Sequence, residues 1–422
     1  MMSKEIIYLF ANGFPYGNAE PYLETEIQYM TEFDQIHIFS LQLRKRKKGP
    51  CRDTPQNTIV HPIFFNPIGY LLCVPLSLLN KDIWKEIKKN LREKGKTIQK
   101  NFQLIVYVCR SYYEARKIYK IVKKYENHNV VFYSYRFGYQ PYVALLLKKR
   151  MKNNGLFITR AHGYDLYENR KNTNYIPMRE TVFEYIDHCF PCSENGTCYL
   201  RNKYARYSQK IDTRYLGTKD YGTTEKRNEE SFSIVSCSNV NSLKRIDLII
   251  LALSHIQDIK IRWTHYGTGP LLDELKKLAE AKLKSNIEVV WKGAVSNSAL
   301  LSEYKEKAYD LFINTSATEG LPVSIMEAMS FGIPCVATDV GGTKEIVSNK
   351  KNGLLIDKNA NEYTIRDSIL CFVHMNTEKY SEYSRSARKT WEDKFNCEMN
   401  YRQFAREIHD LCLIKKSEDK AN

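Results

Sequence analysis

Apolar and polar positions follow a repeating rhythm along this chain, short hydrophobic runs separated by longer amphipathic stretches. Glu5–Phe10 reads as a strand, and Asn18 is placed to cap a helix running through residues 19–33. Ile36–Leu41 reads as the next strand, followed by Val130–Tyr133, Leu156–Thr159 and His188–Cys192, with helical stretches between them. The rhythm restarts at Phe232–Ser236 and continues with Ile259–Thr264, Ile287–Trp291, Asp310–Asn314 and Cys335–Thr338. Strands alternating with helices predict parallel sheets of the doubly wound α/β kind.

The two runs are separated by Gly217–Glu230, GTKDYGTTEKRNEE, which is polar, holds two glycines and lacks apolar periodicity. It reads as a linker. The expected organisation is an N-terminal domain over residues 1–217, a linker over 218–230 and a C-terminal domain over 231–395. Ligands of such sheets bind outside the carboxyl ends of the strands, so a cleft between the two domains is the expected site.

Composition narrows the class. The 422 residues are 43% hydrophobic, 12% aromatic and 27% charged, which supports full cores and excludes a disordered chain. The formal charge is +16. Residues 1–220 carry 36 Lys+Arg against 20 Asp+Glu, whereas basic and acidic residues cancel in the remainder. Residues 81–150 alone hold 18 basic and 5 acidic residues. The two halves are therefore expected to face different partners. The first residues lead directly into Ile6–Phe10 without a long apolar core and cleavage site, so no signal peptide is expected. The apolar stretch Phe64–Leu79 holds Asn66, Pro67 and Pro75 and is too short to span a membrane. Eleven scattered cysteines point to a reducing, cytoplasmic setting. His188, Cys189, Cys192 and Cys198 have zinc-ligand chemistry, but one C-x-x-C without a second pair reads better as part of a buried strand.

The stretch Asn314–Ile346, NTSATEGLPVSIMEAMSFGIPCVATDVGGTKEI, is the most informative. A strand ends near Asn314, a turn follows at Glu319-Gly320-Leu321-Pro322, and a helix begins with Pro322 in its first turn. Free backbone N–H groups near Val323 and Ser324, with the helix dipole, make a phosphate site. Glu319 and Glu327 flank it, eight residues apart. Carboxylates repel phosphates but accept hydrogen bonds from sugar hydroxyls, so the pair suits a nucleotide sugar.

This stretch resembles the E-x7-E signature of retaining glycosyltransferases of the GT-B fold, the group 4 type that includes sucrose synthases and bacterial polysaccharide-assembly enzymes. The blocks EGLP, EAM, GIPCVATDVGG and KEIV carry the likeness, with YGTGP at Tyr266–Pro270 and WKGAV at Trp291–Val295. It extends over most of residues 232–360 and is thinner in the first half. The resemblance implies two Rossmann-like domains facing across a cleft, the first binding acceptor and the second the nucleotide-sugar donor. It also implies that the terminal helix, about 396–422, joins the first domain.

The resemblance assigns roles residue by residue. Glu319 would meet hydroxyls of the transferred sugar, Glu327 the ribose, and backbone amides of Gly320, Leu321, Pro322–Val323 and Ser324 the sugar and diphosphate. Lys244, in SLKRIDLIILAL, falls where the family places a lysine on the diphosphate, and there it would neutralise charge on the departing nucleotide. The family's Gly-Arg-Leu just upstream is replaced by Ser238-Asn239-Val240. Either Arg245 compensates for the lost arginine at Asn239, or leaving-group stabilisation rests on Lys244 and the helix. In the first half, Thr159–Asp165, TRAHGYD, resembles the family's H-G-x-D segment, which puts His162 near the transferred sugar. Gly13, after the first strand, corresponds to a glycine loop that closes on the donor.

The implied reaction is retaining transfer of a hexose from a nucleotide-diphosphate sugar to a hydroxyl of a glycan or lipid-linked acceptor, in cell-surface polysaccharide assembly. No carboxylate nucleophile stands out, so same-face attack is expected, with the leaving phosphate accepting the acceptor proton. No D-x-D occurs in the chain, so no metal or other cofactor is expected. Lys81, Lys85, Lys88, Lys89 and Arg92 recur at helical spacing, with Trp84, Ile87 and Leu91 on another face. Beside the apolar 64–79 segment they suggest peripheral contact with an anionic membrane through residues 64–150, at the inner face of the cell membrane. Other readings are a non-catalytic sugar-binding GT-B protein, a phosphorylase or epimerase of the same fold, and a basic nucleic-acid-binding protein. No helix-turn-helix, zinc-finger or RNP-like string supports nucleic acid as a partner.

Overall fold

The computed structural model describes residues 4–44, 49, 51–93, 95–224 and 230–421. It divides into two compact units, one running to Arg214 and taking in Tyr401 onward, the other Tyr215–Asn400. The expected boundary at 217 and the polar linker thus shift slightly. Thr218 bridges to Asn396 and accepts a hydrogen bond from Trp391 Nε1 (2.7 Å), and Asp220 pairs with Arg388 (2.7 Å), so the start of that segment is built into unit 2. Residues 225–229 of the linker lie outside the described residues.

In unit 1 the strands are β1 (Glu5–Ala11), β2 (Gln35–Leu43), β3 (Thr58–Phe64), β4 (Asn129–Ser134), β5 (Phe157–Ala161) and β6 (His188–Pro191). The helices are α1 (Pro21–Glu26), α2 (Pro67–Leu71), α3 (Val74–Leu78), α4 (Lys81–Arg92), α5 (Thr97–Val122), α6 (Gln140–Met151), α7 (Gly163–Leu166), α8 (Arg179–Tyr185) and α9 (Glu194–Lys203). The sheet is parallel, in the order β3-β2-β1-β4-β5-β6. Alternation along β1 feeds two cores. Ile6, Tyr8 and Phe10 pack with α5 and α6, whereas Ile7, Leu9 and Ala11 face α1 and the terminal helix. Both faces are covered, which is why β1 reads as a continuous apolar run.

Unit 2 repeats the plan. Its strands are β7 (Phe232–Cys237), β8 (Ile261–Tyr266), β9 (Ile287–Gly293), β10 (Leu311–Asn314), β11 (Cys335–Thr338) and β12 (Gly353–Ile356), parallel and ordered β12-β11-β10-β7-β8-β9. Helices α10 (Ile246–Ser254), α11 (Leu272–Lys282), α12 (Asn297–Lys307), α13 (Val323–Ser330), α14 (Thr343–Ile346), α15 (Glu362–Val373) and α16 (Thr377–Lys394) cover it. Helix α17 (Cys397–Ala421) begins in unit 2 and belongs to unit 1 from Tyr401. In each sheet the strand order reverses once, between β1 and β4 and between β7 and β10. Those reversals splay neighbouring loops apart and leave a crevice at the carboxyl edge.

Two expectations for the first helix are corrected. The helix predicted from Asn18 starts at Pro21, and its N-cap is Glu20 in the left-handed region (φ 55°) with no side-chain cap. Glu20 turns its carboxylate back to the preceding loop instead. The helix stops at Glu26 and passes into a single tight turn at Ile27–Tyr29 rather than reaching residue 33. Edge strands β3 and β12 escaped the sequence reading because β3 carries His61 and Pro62 and β12 is only GLLI. On α4, Trp84, Ile87 and Leu91 lie along one side, and of the three only Ile87 packs on the core. Ile83, Glu86 and Asn90 are buried and Ile87 packs on the core, whereas Trp84 and Leu91 are exposed. Asn90 bonds Asn101 and Glu86 bonds Tyr175, so polar groups can occupy the inward side. The 64–79 segment forms α2 and α3, each with proline in its first turn. Among the described residues no helix is long and apolar enough to cross a membrane.

A fully buried ion pair locks unit 1. Arg160 Nε lies 2.9 Å from Glu26 Oε2, Tyr133 donates to the other Glu26 oxygen, and the guanidinium stacks 4.2 Å over Phe404. The pair ties α1 and β5 to α17. Removing one member strands a buried charge, so Glu26→Ala should cost about 3–5 kcal/mol in chemical denaturation. A loss below about 0.5 kcal/mol would contradict this role.

Candidate active site

The richest cluster of predicted residues stands at the carboxyl edge of unit 2, at the β7/β10 reversal. The loop after β7 carries Asn239, Lys244 and Arg245, and the loop after β10 carries Thr315–Pro322. Ala317 N–H donates to Leu243 O (2.7 Å), and Thr315 Oγ1 donates to the carbonyls of Lys244 (3.0 Å) and Arg245 (2.9 Å). The loops are therefore one fastened unit. Lys244 Nζ donates to Glu319 Oε1 at 2.6 Å, and Asn314 Nδ2 donates to the same oxygen at 3.3 Å. Both partners remain partly open, with side-chain exposures of 24% and 12%. Asn239 is exposed beside them.

Arg245 has another job. It sits in the left-handed region (φ 47°), and its guanidinium donates to the carbonyls of Thr315 (2.7 Å), Lys358 (2.6 Å) and Ser316 (3.4 Å). Its donors brace the β10 loop from behind. Of the two cations expected at the phosphate, Lys244 is the one held against Glu319.

Two sequence blocks acquire a packing reason here. A Cβ at Gly341 (φ +57°) would lie 2.0 Å from the Glu319 carbonyl, and Gly342 N–H donates to Gly320 O at 2.8 Å. The D-V-G-G turn thus lies flat under the Glu319–Pro322 turn. A Cβ at Gly267 (φ +137°) would come within 1.8 Å of Ser238 O, so the Y-G-T-G block lies against the β7 loop.

Helix α13 starts at Val323 with Pro322 as N-cap and no side-chain cap, so its first N–H groups near Val323 and Ser324 are open to an anion. Leu321, Pro322 and Val323 are buried, and Ser324 is half-buried. Glu327, in the second turn, is buried and accepts from Asn297 Nδ2 at 2.7 Å. Burial pushes its carboxyl up to about 7, with the Asn297 bond opposing. Asn297 has no signature in the sequence. It is the first residue of α12 and is recognised only through this contact.

The unit 1 residues gather at the other reversal. Gly13 follows β1 and His162 follows β5. His162 is buried, its ring centroid lies 4.7 Å from that of Tyr135, and its Nε2 has no hydrogen-bond partner among the described residues. Burial depresses the imidazole to about 3 despite Asp165, so it is neutral at ordinary pH. Asp165 Oδ2 accepts from His162 N–H (3.2 Å) and Phe137 N–H (2.7 Å). Burial would raise the Asp165 carboxyl, but Arg136 and these donors together hold it low. Arg136 bridges Asp165 (3.2 Å) and Glu20 (3.4 Å). Glu20 in turn accepts from the N–H groups of Asn12 (2.9 Å), Gly13 (3.1 Å) and Phe14 (3.1 Å). The Gly13 loop already holds an internal carboxylate where a donor oxygen was expected. Arg136 and Glu20 were missed because neither lies in a recognisable motif.

Among the described residues no group of three His, Cys, Asp or Glu side chains is placed to hold a metal ion. Cys189 is buried in β6 and Cys198 is exposed on α9, so the His188–Cys198 cluster is not a site.

Comparison with known proteins bears on the fold and on the second unit. The family described as "Glycosyl transferases group 1" matches residues 221–390. The chain is 26% identical over 282 residues to a putative colanic acid biosynthesis glycosyltransferase, WcaL, of Escherichia coli (strain K12), covering 64% of this chain and 68% of that protein. It is 26% identical over 224 residues to the GtfA subunit of a UDP-N-acetylglucosamine–peptide N-acetylglucosaminyltransferase of Streptococcus gordonii, covering 50% of this chain and 42% of that subunit. The match therefore spans less than half of that subunit's length. Among solved structures, the apo form of the lipopolysaccharide outer core galactosyltransferase WaaB superposes with a TM-score of 0.66 at 14% identity, covering 98% of this chain and 99% of that one. The group 1 likeness is thus confined to residues 221–390, and the two six-stranded parallel units have the GT-B fold.

The raised Glu327 carboxyl makes stability depend on pH. Its folded value, about 7, exceeds the ordinary 4.5, so its contribution is complete below about 4.5 and is lost as pH rises through 7. Relative to Glu327→Gln, the wild type should lose up to about 3 kcal/mol of unfolding free energy between pH 5 and pH 8. An unchanged difference across that range would show that Glu327 is not held in a desolvated site.

Proposed function

We propose that this protein is a retaining glycosyltransferase moving a hexose from a nucleotide-diphosphate sugar to a hydroxyl of a glycan or lipid-linked acceptor, in cell-surface polysaccharide assembly. The carrying observation is the Lys244–Glu319 pair at the β7/β10 crevice, beside the open N-terminus of α13. The names of the relatives, a colanic acid biosynthesis glycosyltransferase and an N-acetylglucosaminyltransferase, support the reaction class.

In this reading the donor diphosphate takes Glu319's place on Lys244 and lies along the first N–H groups of α13. Glu319, released, accepts from hydroxyls of the sugar, and Glu327 accepts from the ribose. The bond between the anomeric carbon and the diphosphate oxygen breaks, and Lys244 with the helix end offsets the charge that collects on the leaving oxygens. The acceptor hydroxyl attacks from the same face and passes its proton to the leaving phosphate. His162 gives unit 1 an uncharged hydrogen-bonding group at the end of β5. Lys244 and α13 supply the positive charge, so the transfer proceeds without a metal. The chain works on the cytoplasmic side, at the inner face of the cell membrane, where lipid-linked acceptors are reached.

Thermal melting with UDP-, GDP-, ADP- and TDP-hexoses tests the donor reading. One donor should raise the melting temperature and yield nucleoside diphosphate on turnover, and no shift with any nucleotide sugar would overturn it. With that donor, Lys244→Ala should lower kcat on the order of 100- to 1,000-fold. Full loss of activity on EDTA treatment, restored by Mn²⁺, would contradict metal-free transfer.

A further inference from the structure

The excess charge of the first half lies beside an apolar surface that no part of unit 1 covers. Helices α2, α3 and α4 each pack on α5, and α3 also meets α4. On α2, Ile68, Leu71 and Leu72 are more than 70% exposed. Leu79, at the end of α3, is 80% exposed, and Ile98 and Phe102, one turn apart on α5, are 86% and 69% exposed. These are large side chains at full exposure, beyond the scattered single residues normal for a monomer.

Cations adjoin this surface. Lys81, Lys85, Lys88 and Arg92 occupy the exposed face of α4, and Trp84 and Leu91, two turns apart, lie on its flank. Trp84 Nε1 donates to Leu78 O at 2.8 Å, which fixes the indole against the end of α3. Lys81, Lys88 and Arg92 make no ion pair among the described residues. Lys85 pairs with Asp82 at 3.4 Å, and the face, still basic as a whole beside aliphatic and aromatic side chains, complements an anionic lipid surface: the cations meet headgroups while the apolar side chains enter the acyl boundary.

We propose that α2, α3 and the exposed sides of α4 and α5 form a monotopic docking face for an anionic membrane, with Leu71, Leu72 and Phe102 inserted and Lys85, Lys88 and Arg92 against headgroups. The proposal rests on, and deepens, the placing of the chain at the inner face of the membrane. The face lies within unit 1, and the donor residues of unit 2 are no part of it.

Co-sedimentation of the full chain tests this, with vesicles of phosphatidylglycerol and phosphatidylcholine against phosphatidylcholine alone. The wild type should pellet with the anionic vesicles and be released by high salt. Leu71→Ser/Leu72→Ser/Phe102→Ser should weaken binding by at least about tenfold. Lys85→Ala/Lys88→Ala/Arg92→Ala should weaken it on the order of 100-fold. All substituted side chains are exposed, and unchanged thermal melting checks that both variants fold. No binding of the wild type to either vesicle overturns both the docking face and the membrane location. Wild-type binding that both variants retain overturns the docking face alone. Equal binding to neutral vesicles overturns the electrostatic half of the claim. A wild-type dimer in sedimentation velocity that the Leu71/Leu72/Phe102 variant converts to monomer overturns the proposal in favour of a second copy of the chain.

Discussion

The contact between Lys244 and Glu319 is the point around which unit 2 is organised. A lysine and a glutamate 2.6 Å apart at a strand-order reversal keep each other compact and neutral without donor. The surroundings serve that geometry. Arg245 holds the β10 loop by its carbonyls, Thr315 holds the β7 loop by its own, and Gly341 lets a second turn lie under Glu319. The pair is only partly exposed, so its attraction is screened less than that of a surface pair, and a diphosphate must offer more than one carboxylate to displace Glu319. In the proposed reading it would do so by carrying greater charge and by reaching the end of α13 at the same time.

Unit 1 solves a similar problem by internal means. Arg136 draws together the loops after β1, β4 and β5 through Glu20 and Asp165. Two buried carboxylates collect the backbone N–H groups of those loops, and the arginine helps to hold the Asp165 carboxyl low. His162 is thereby oriented through its backbone while its ring stays neutral. The charge excess that dominates the sequence of this half is not spent on that site. Part of it lies on the outward face of α4, beside exposed leucines.

Much of this was legible before the structure. Buried central strands such as β1, β7 and β11 announce themselves as apolar runs, because both faces of the sheet are covered. The Glu319–Glu327 stretch was legible because a Gly-Leu-Pro turn opens a helix there and its pair of glutamates resembles a known signature. Edge strands were not, since β3 tolerates His61 and Pro62 with one side unpaired. Nor was the start of α1, where Glu20 prefers three loop N–H groups to a cap. The inward side of α4 left no signal because Glu86 and Asn90 find buried partners, and a buried polar residue with a partner leaves no mark on the hydrophobic pattern. Asn297, Arg136 and the bracing role of Arg245 are long-range contacts of the same kind.

The most direct measurement of the central claim is calorimetric titration of nucleoside diphosphate, without sugar, into wild type and Glu319→Gln. If Glu319 occupies Lys244 until a diphosphate replaces it, the variant binds the bare diphosphate several-fold more tightly, on the order of 1 kcal/mol, while losing turnover of the sugar donor. Equal or weaker diphosphate binding by Glu319→Gln would show that the two residues do not exchange partners, and the account of the site would fall with it.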